Sequence, residues 1–293
     1  MNLDRLKKQL KQDLKNQEFR EKKSNKKRWA LLFLLALVIA GGLFPSYRQW
    51  QLSSPQRLLA RGIKQESLGQ IGAAEQTYRE IYQRFSTAQE AAEALLRIGR
   101  LWQYDHLDEQ KALLSYLQLE HDYPESHLVL PAREEAAQIV KYSQRDYSRA
   151  IGFYQSLLDL NTGEPDRYLY EIADCYFRLE NYPQARIELE TLLESYPDSA
   201  LAPDALYRKG GILMLENRAD AARQEWQKLI EAYPDSSYRP QAEFNLARLL
   251  EEEGHLARAL EQYRQLKNFP RPSLLQEKIE HLEQRIEDKK KAL

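Results

Sequence analysis

Apolar residues along this chain fall into stripes with helical spacing. In the run LYEIADCYFRLENYPQARIELETLLESYPDS, residues 169–199, Leu169, Ile172, Ala173 and Tyr176 stand at i, i+3, i+4 and i+7. A second stripe follows with Ala185, Leu189, Leu192 and Tyr196, and Pro197 closes it. A period near 3.6 predicts two amphipathic helices, each with one apolar face. Ala173 and Ala185 lie twelve residues apart, where two antiparallel helices approach most closely. Small residues there permit the approach, and the larger neighbours fill the groove.

The second stripe recurs along the chain. Its small residue is Ala74, Ala112, Ala150, Ala185, Ala222 and Ala259 in turn, with large apolar residues four and seven positions later. The successive alanines are 38, 38, 35, 37 and 37 residues apart. Six copies at a nearly constant period predict an array of stacked helix pairs, each burying its apolar face on its neighbours. Tyr-Pro-[Asp/Glu]-Ser recurs at Tyr123–Ser126, Tyr196–Ser199 and Tyr233–Ser236. The proline stops one helix, and the Asp or Ser can cap the next.

These positions resemble the tetratricopeptide repeat, whose pattern is W-x2-L-G-x2-Y in a first helix, A-x3-F in a second and a closing Pro. The resemblance spans residues 56–272, about six repeats, and is closest in the last three. It is weakest in the third, where Gln138 occupies the place of the small first-helix residue. The period exceeds the usual 34, which predicts long turns between repeats. Turns of this kind are similar to those of bacterial envelope proteins, the Tol-Pal-associated periplasmic type among them. The resemblance implies an all-α superhelical solenoid whose concave face binds a protein or peptide partner. In that family the first helices line the concave face. Here the implied lining is Tyr170, Asp174 and Phe177, then Tyr207 and Met214, then Phe244, Arg248 and Glu251. Tyr170, Tyr207 and Phe244 are 37 residues apart, which predicts an aromatic ladder. Two readings of these rings stand: anchors for a partner segment, or packing between repeats. Residues 273–293 carry Leu275, Ile279, Leu282 and Ile286 on one stripe of a polar helix, the expected terminal cap; a coiled-coil contact is the alternative.

Charge changes the picture at the N-terminus. Residues 1–28 hold eleven Lys or Arg against four Asp or Glu, a net of +7, and residues 29–44 hold none. The remainder keeps 32 of the 43 basic and 40 of the 44 acidic residues, a net of −8. Trp29–Phe44 is apolar throughout, and as a helix it covers about 24 Å. Lys22, Lys23, Lys26, Lys27 and Arg28 flank it as a positive-inside signal. The expectation is a cytoplasmic tail, a single-pass inner-membrane anchor at 29–44, a linker at 45–55 and a periplasmic repeat array. A signal peptide cut near Ala40 is the alternative; the long, acid-containing region before the apolar block favours the anchor.

Candidate chemistry is sparse. The five histidines show no metal spacing, and no Walker loop, dinucleotide fingerprint or nucleophile elbow occurs. The lone Cys175 sits in an apolar helical stretch without a partner pattern. The expectation is therefore no catalysis, no metal and no cofactor. An acidic body disfavours nucleic acid as a partner. Three functions fit this architecture: an envelope adaptor for assembly, division or secretion; a chaperone-like accessory of the translocon; or a regulatory subunit of exopolysaccharide synthesis or export.

Overall fold

The computed structural model describes residues 54–160 and 162–291. The basic tail, the apolar block 29–44 and most of the linker lie outside the described residues. Among the described residues, no helix is long and apolar enough to cross a membrane.

Thirteen α-helices and no strands are present among these residues. The first six are α1 (Pro55–Ser67), α2 (Ile71–Arg84), α3 (Gln89–Arg100), α4 (Glu109–Asp122), α5 (Val129–Gln138) and α6 (Tyr147–Asp159). The rest are α7 (Pro165–Arg178), α8 (Tyr182–Ser195), α9 (Ala202–Leu215), α10 (Ala219–Ala232), α11 (Arg239–Glu252), α12 (Leu256–Gln265) and α13 (Pro272–Lys291). The described residues fall into two compact units, 54–94 and 95–291. In the first, α1 packs on α2. Gly62 faces the Tyr78 ring, whose hydroxyl donates to Glu66 at 2.6 Å.

In the second unit each helix from α4 onward packs on the next in sequence. The close approach predicted at the small residues is visible in detail. A Cβ on Gly99 would lie within 2.7 Å of the Tyr116 ring, and one on Gly210 within 2.7 Å of the Trp226 indole. Ala173 and Ala185 are buried in one cluster with Leu189, Leu192 and Ile212. Fully burying a leucine of this kind contributes about 1.5–3 kcal/mol.

Each turn inside a pair places one residue in the left-handed region, Glu180 at φ 58° for example. Asp108, Asp146 and Asn181 cap the helices that follow by accepting a backbone N–H three residues on, each worth about 1 kcal/mol. In the Tyr-Pro turns the serine closes the turn just before the helix instead of capping it. Ser126, Ser199 and Ser236 Oγ accept the N–H two residues ahead at 3.1–3.2 Å.

Two first helices end differently. α3 continues as a π-helical turn at Leu101–Asp105, and α5 as another at Ile139–Ser143. His106 N–H donates to Leu101 O at 2.9 Å and Gln144 N–H to Ile139 O at 3.1 Å, both five residues back. Each turn holds one extra residue, so the small residue stands thirteen positions before its partner alanine, as in Gly99 and Ala112, instead of twelve. By the same count the small residue of the third pair is Ala137, fully buried. The sequence expectation that Gln138 replaced it is corrected by the π turn. The surplus also explains one residue of the long spacings, so long turns are only part of the cause.

Helix α13 packs on the α11–α12 pair. Leu282 is fully buried against Ala259 and Tyr263, with Leu275, Ile279 and Ile286 packed beside it.

Candidate functional site

The stripe predicted to face a partner divides into two groups. Tyr170, Asp174 and Phe177 on α7 and Tyr207 on α9 line one pocket, with Ala173, Leu189 and Ile212 among its apolar walls. The pocket holds about 280 Å³ and is completed by Arg208, Gly211, Leu215 and Asn245. Phe177 and Leu215 remain 39% and 51% exposed.

The other predicted residues lie elsewhere. Phe244 is buried, stacked on Phe269 with ring centres 4.5 Å apart and in contact with Tyr263. The third rung of the expected ladder is thus covered by the C-terminal segment. Glu251 is buried too, its carboxylate accepting from Arg285 at 2.7 Å and bridged by Lys278 at 3.4 Å, both on α13. Met214 is partly buried against the Trp226 cluster. Arg248 is half-buried on α11 with Glu252 at 3.5 Å, and it does not line the pocket. Tyr170 and Tyr207 do not stack on one another as a ladder in this arrangement. Tyr207 stacks on Tyr238 at 5.4 Å, and the Tyr170 ring carries the Arg208 guanidinium at 4.8 Å.

Asp174 organises the charges. Lys141 lies 2.7 Å from one of its oxygens, Arg178 Nε donates to the same oxygen at 2.9 Å, and Arg208 Nη1 donates to the other at 2.9 Å. Lys141, itself buried, also pairs with Glu171. Arg208 Nε donates to Asp204 at 3.1 Å, and Asp204 accepts the Tyr170 hydroxyl. Burial opposes the charge on Asp174, but the hydrogen bonds and charges of Lys141 and Arg178 outweigh it and hold the carboxyl at about 2. Burial and the bond to Asp204 push the Tyr170 hydroxyl up, so it stays a donor. Burial likewise raises the Cys175 thiol to about 11, which leaves it protonated and unreactive at neutral pH.

Sequence reasoning missed Arg208, Gly211, Leu215 and Asn245. A signal existed in the Gly210-Gly211 pair. Gly210 is required by Trp226, whereas a Cβ on Gly211 would meet nothing within 4 Å. Two junctions between first helices are bridged by an ion pair at equivalent positions, Arg100 with Glu135 at 3.5 Å and Asp174 with Arg208 at 2.9 Å. The corresponding positions at the next junction are Gly211 and Asn245, and there the groove stays open. A larger recess of about 450 Å³ at the α10–α11 turn is a shallow bay between prolines and serines with no convergent charged groups. Among the described residues, no group of three His, Cys, Asp or Glu side chains is placed to hold a metal.

Two tetratricopeptide-repeat family models match this chain. They cover residues 141–206 and 181–237, which include every lining residue of the pocket except Asn245. No curated protein matches the chain in sequence. Among solved structures, the C-terminal part of a TPR repeat-containing protein from Cytophaga hutchinsonii superposes with a TM-score of 0.59 at 15% identity, covering 78% of this chain and 88% of that one. A tetratricopeptide repeat protein from Parabacteroides merdae gives 0.51 at 18% identity, over 72% and 77%. These likenesses establish the fold: the described residues have the all-α tetratricopeptide-repeat architecture.

Proposed function

We propose that this chain is a non-catalytic scaffold that binds a segment of a partner protein across the first helices of its fourth and fifth repeats. The observation that carries the reading is the pocket over Gly211, with Phe177 and Leu215 left exposed at its rim. Concave pockets with apolar walls and a few placed polar groups are where ligands dock, and tetratricopeptide repeats supply such surfaces on a rigid frame. The test is site-specific photocrosslinking in intact membranes from positions 177 and 215. Position 187, where Ile187 is exposed on α8, serves as the control. Adducts specific to 177 and 215 are expected; the same adducts from 187 would overturn the reading.

The finer part of this proposal is an envelope adaptor held at the inner membrane. Its support is the sequence: the +7 tail, the uncharged block 29–44 and the acidic repeats. Fusions after Gln56 should be active with a periplasmic reporter and silent with a cytoplasmic one. The reverse pattern sinks the topology, and a mature chain beginning near Gly41 replaces the anchor with a cleaved signal.

A further inference from the structure

The pocket over Gly211 is asymmetric in charge, and the asymmetry says what it accepts. Its anions lie deep: the Asp174 side chain is 9% exposed, and its oxygens already accept from Lys141, Arg178 and Arg208. Of the cations on Asp174, Arg208 lines the recess, and Arg178 stands beside it with its guanidinium 5.6 Å from the Tyr147 ring on α6. Arg178 and Arg208 side chains are 47% and 41% exposed, and both reach the same Asp174 carboxylate. A guanidinium carries five N–H donors in a planar fork. Arg208 uses Nε and Nη1 on Asp204 and Asp174, and Arg178 uses Nε on Asp174, so donors remain on both. A second oxyanion can be received here, whereas an incoming ammonium meets two guanidiniums in front of saturated carboxylates.

Gly211 supplies the second observation. A glycine inside a helix weakens it, and Gly211 serves no internal contact, since nothing lies within 4 Å of where its Cβ would be. Gly152 on α6 is also uncrowded, but it is exposed and lines none of these recesses. Gly72 on α2 is likewise uncrowded and exposed, and Gly254 lines another recess but sits at φ 81°, which accounts for a glycine there. Among the described helical glycines, the missing side chain coincides with a recess at Gly211, between the rims Phe177 and Leu215.

We infer that the pocket takes an apolar side chain of a linear partner segment, seated over Gly211, with an Asp or Glu side chain of the same segment bound by Arg208 and Arg178. This rests on the scaffold reading above and names the chemistry of its partner. The chain's own residues 1–28, with a net charge of +7, are the wrong sign for this rim.

The test uses the full chain in detergent and a displayed library of random twelve-residue peptides. The enriched sequences should place Leu, Met or Phe next to Asp or Glu. For one enriched peptide, Gly211→Leu should weaken binding at least tenfold without lowering the melting temperature. Replacing the peptide's Glu by Gln should weaken binding about fivefold to tenfold in the wild type and have no effect in Arg178→Gln/Arg208→Gln, a coupling that a structural role would not produce. If the double variant melts early, Arg178→Gln is read alone, because that side chain is the more exposed of the two. Enrichment of basic peptides, binding of a synthetic Met1–Arg28 peptide, or a dimer broken by Gly211→Leu would each overturn the acidic partner while leaving the groove reading standing. Peptides indifferent to Gly211→Leu, or no enrichment at all, would overturn both.

Discussion

Adjacent glycines on α9 should respond in opposite directions to the same substitution. Alanine at either position gains about 1 kcal/mol of helix propensity. At 210 that gain is outweighed. The new Cβ would sit within 2.7 Å of Trp226 Cδ1 and Cε2, in a cluster where the indole is fully buried. Overpacking of this kind costs about 1–3 kcal/mol. Moving the ring also strains the bond from its Nε1 to Tyr207 O, now 3.1 Å, worth about 1 kcal/mol. Gly210→Ala should therefore lose about 1–3 kcal/mol net. At 211 no atom stands in the way, so Gly211→Ala should gain about 0.5–1 kcal/mol. For a unit of roughly 200 residues these changes move the melting temperature by about 2–4 °C per kcal/mol. Thermal and urea unfolding of the two variants beside the wild type makes the measurement. A Gly211→Ala protein that melts lower, or two variants that shift in the same direction, would refute the account of why each glycine is there.

Two further outcomes follow from the ion network and the turns. The Asp174 carboxyl is held at about 2 against an ordinary 3.8, so its contribution, about 2 kcal/mol, is present above pH ~4 and lost as the pH falls through ~2. Asp174→Asn should lower the urea midpoint clearly at pH 7 and hardly at pH 2, and a gap independent of pH would remove Asp174 as its source. Glu180 holds φ at 58° in the turn between α7 and α8, a conformation that costs a residue with a Cβ about 1–2 kcal/mol. Glu180→Gly should therefore gain about 0.5–1 kcal/mol after glycine's own entropy is counted, read as a rise in the urea midpoint; a fall would show that the carboxylate stabilises the turn.

Helix stripes and small-residue contacts are local regularities, and they were legible. Ala185, Ala222 and Ala259 sit where their spacing put them, and all are fully buried. What failed was counting through an irregularity. A π turn adds a residue without altering the apolar pattern on either side of it, so a fixed spacing pointed to Gln138 when the packed residue is Ala137. Site positions were legible only where neighbouring repeats stay open. Tyr170 and Phe244 occupy equivalent places, but α7 leaves its face to the pocket, while Phe244 is covered by Phe269. That difference depends on a segment outside the repeat pattern, which periodicity cannot express. Arg208 was passed over because an isolated arginine on a helix is ordinary surface. Its meaning comes from Asp174, 34 residues away.

The attachment of α13 bears on the order in which the sixth pair is closed during synthesis. Glu251 lies buried on α11, yet its counter-charges, Lys278 and Arg285, arrive 27 and 34 residues later. Chains emerge from the ribosome N-terminus first, and folded structure accumulates in that order. The earlier pairs can close as they appear, but the α11–α12 pair waits with an acid that lacks its counter-charges and an uncovered Phe244 until the chain through α13 is free of the exit tunnel. A nascent chain whose Arg285 has not yet emerged therefore presents an acidic, greasy face to whatever surrounds it, and the emergence of α13 is the step that seals this pair.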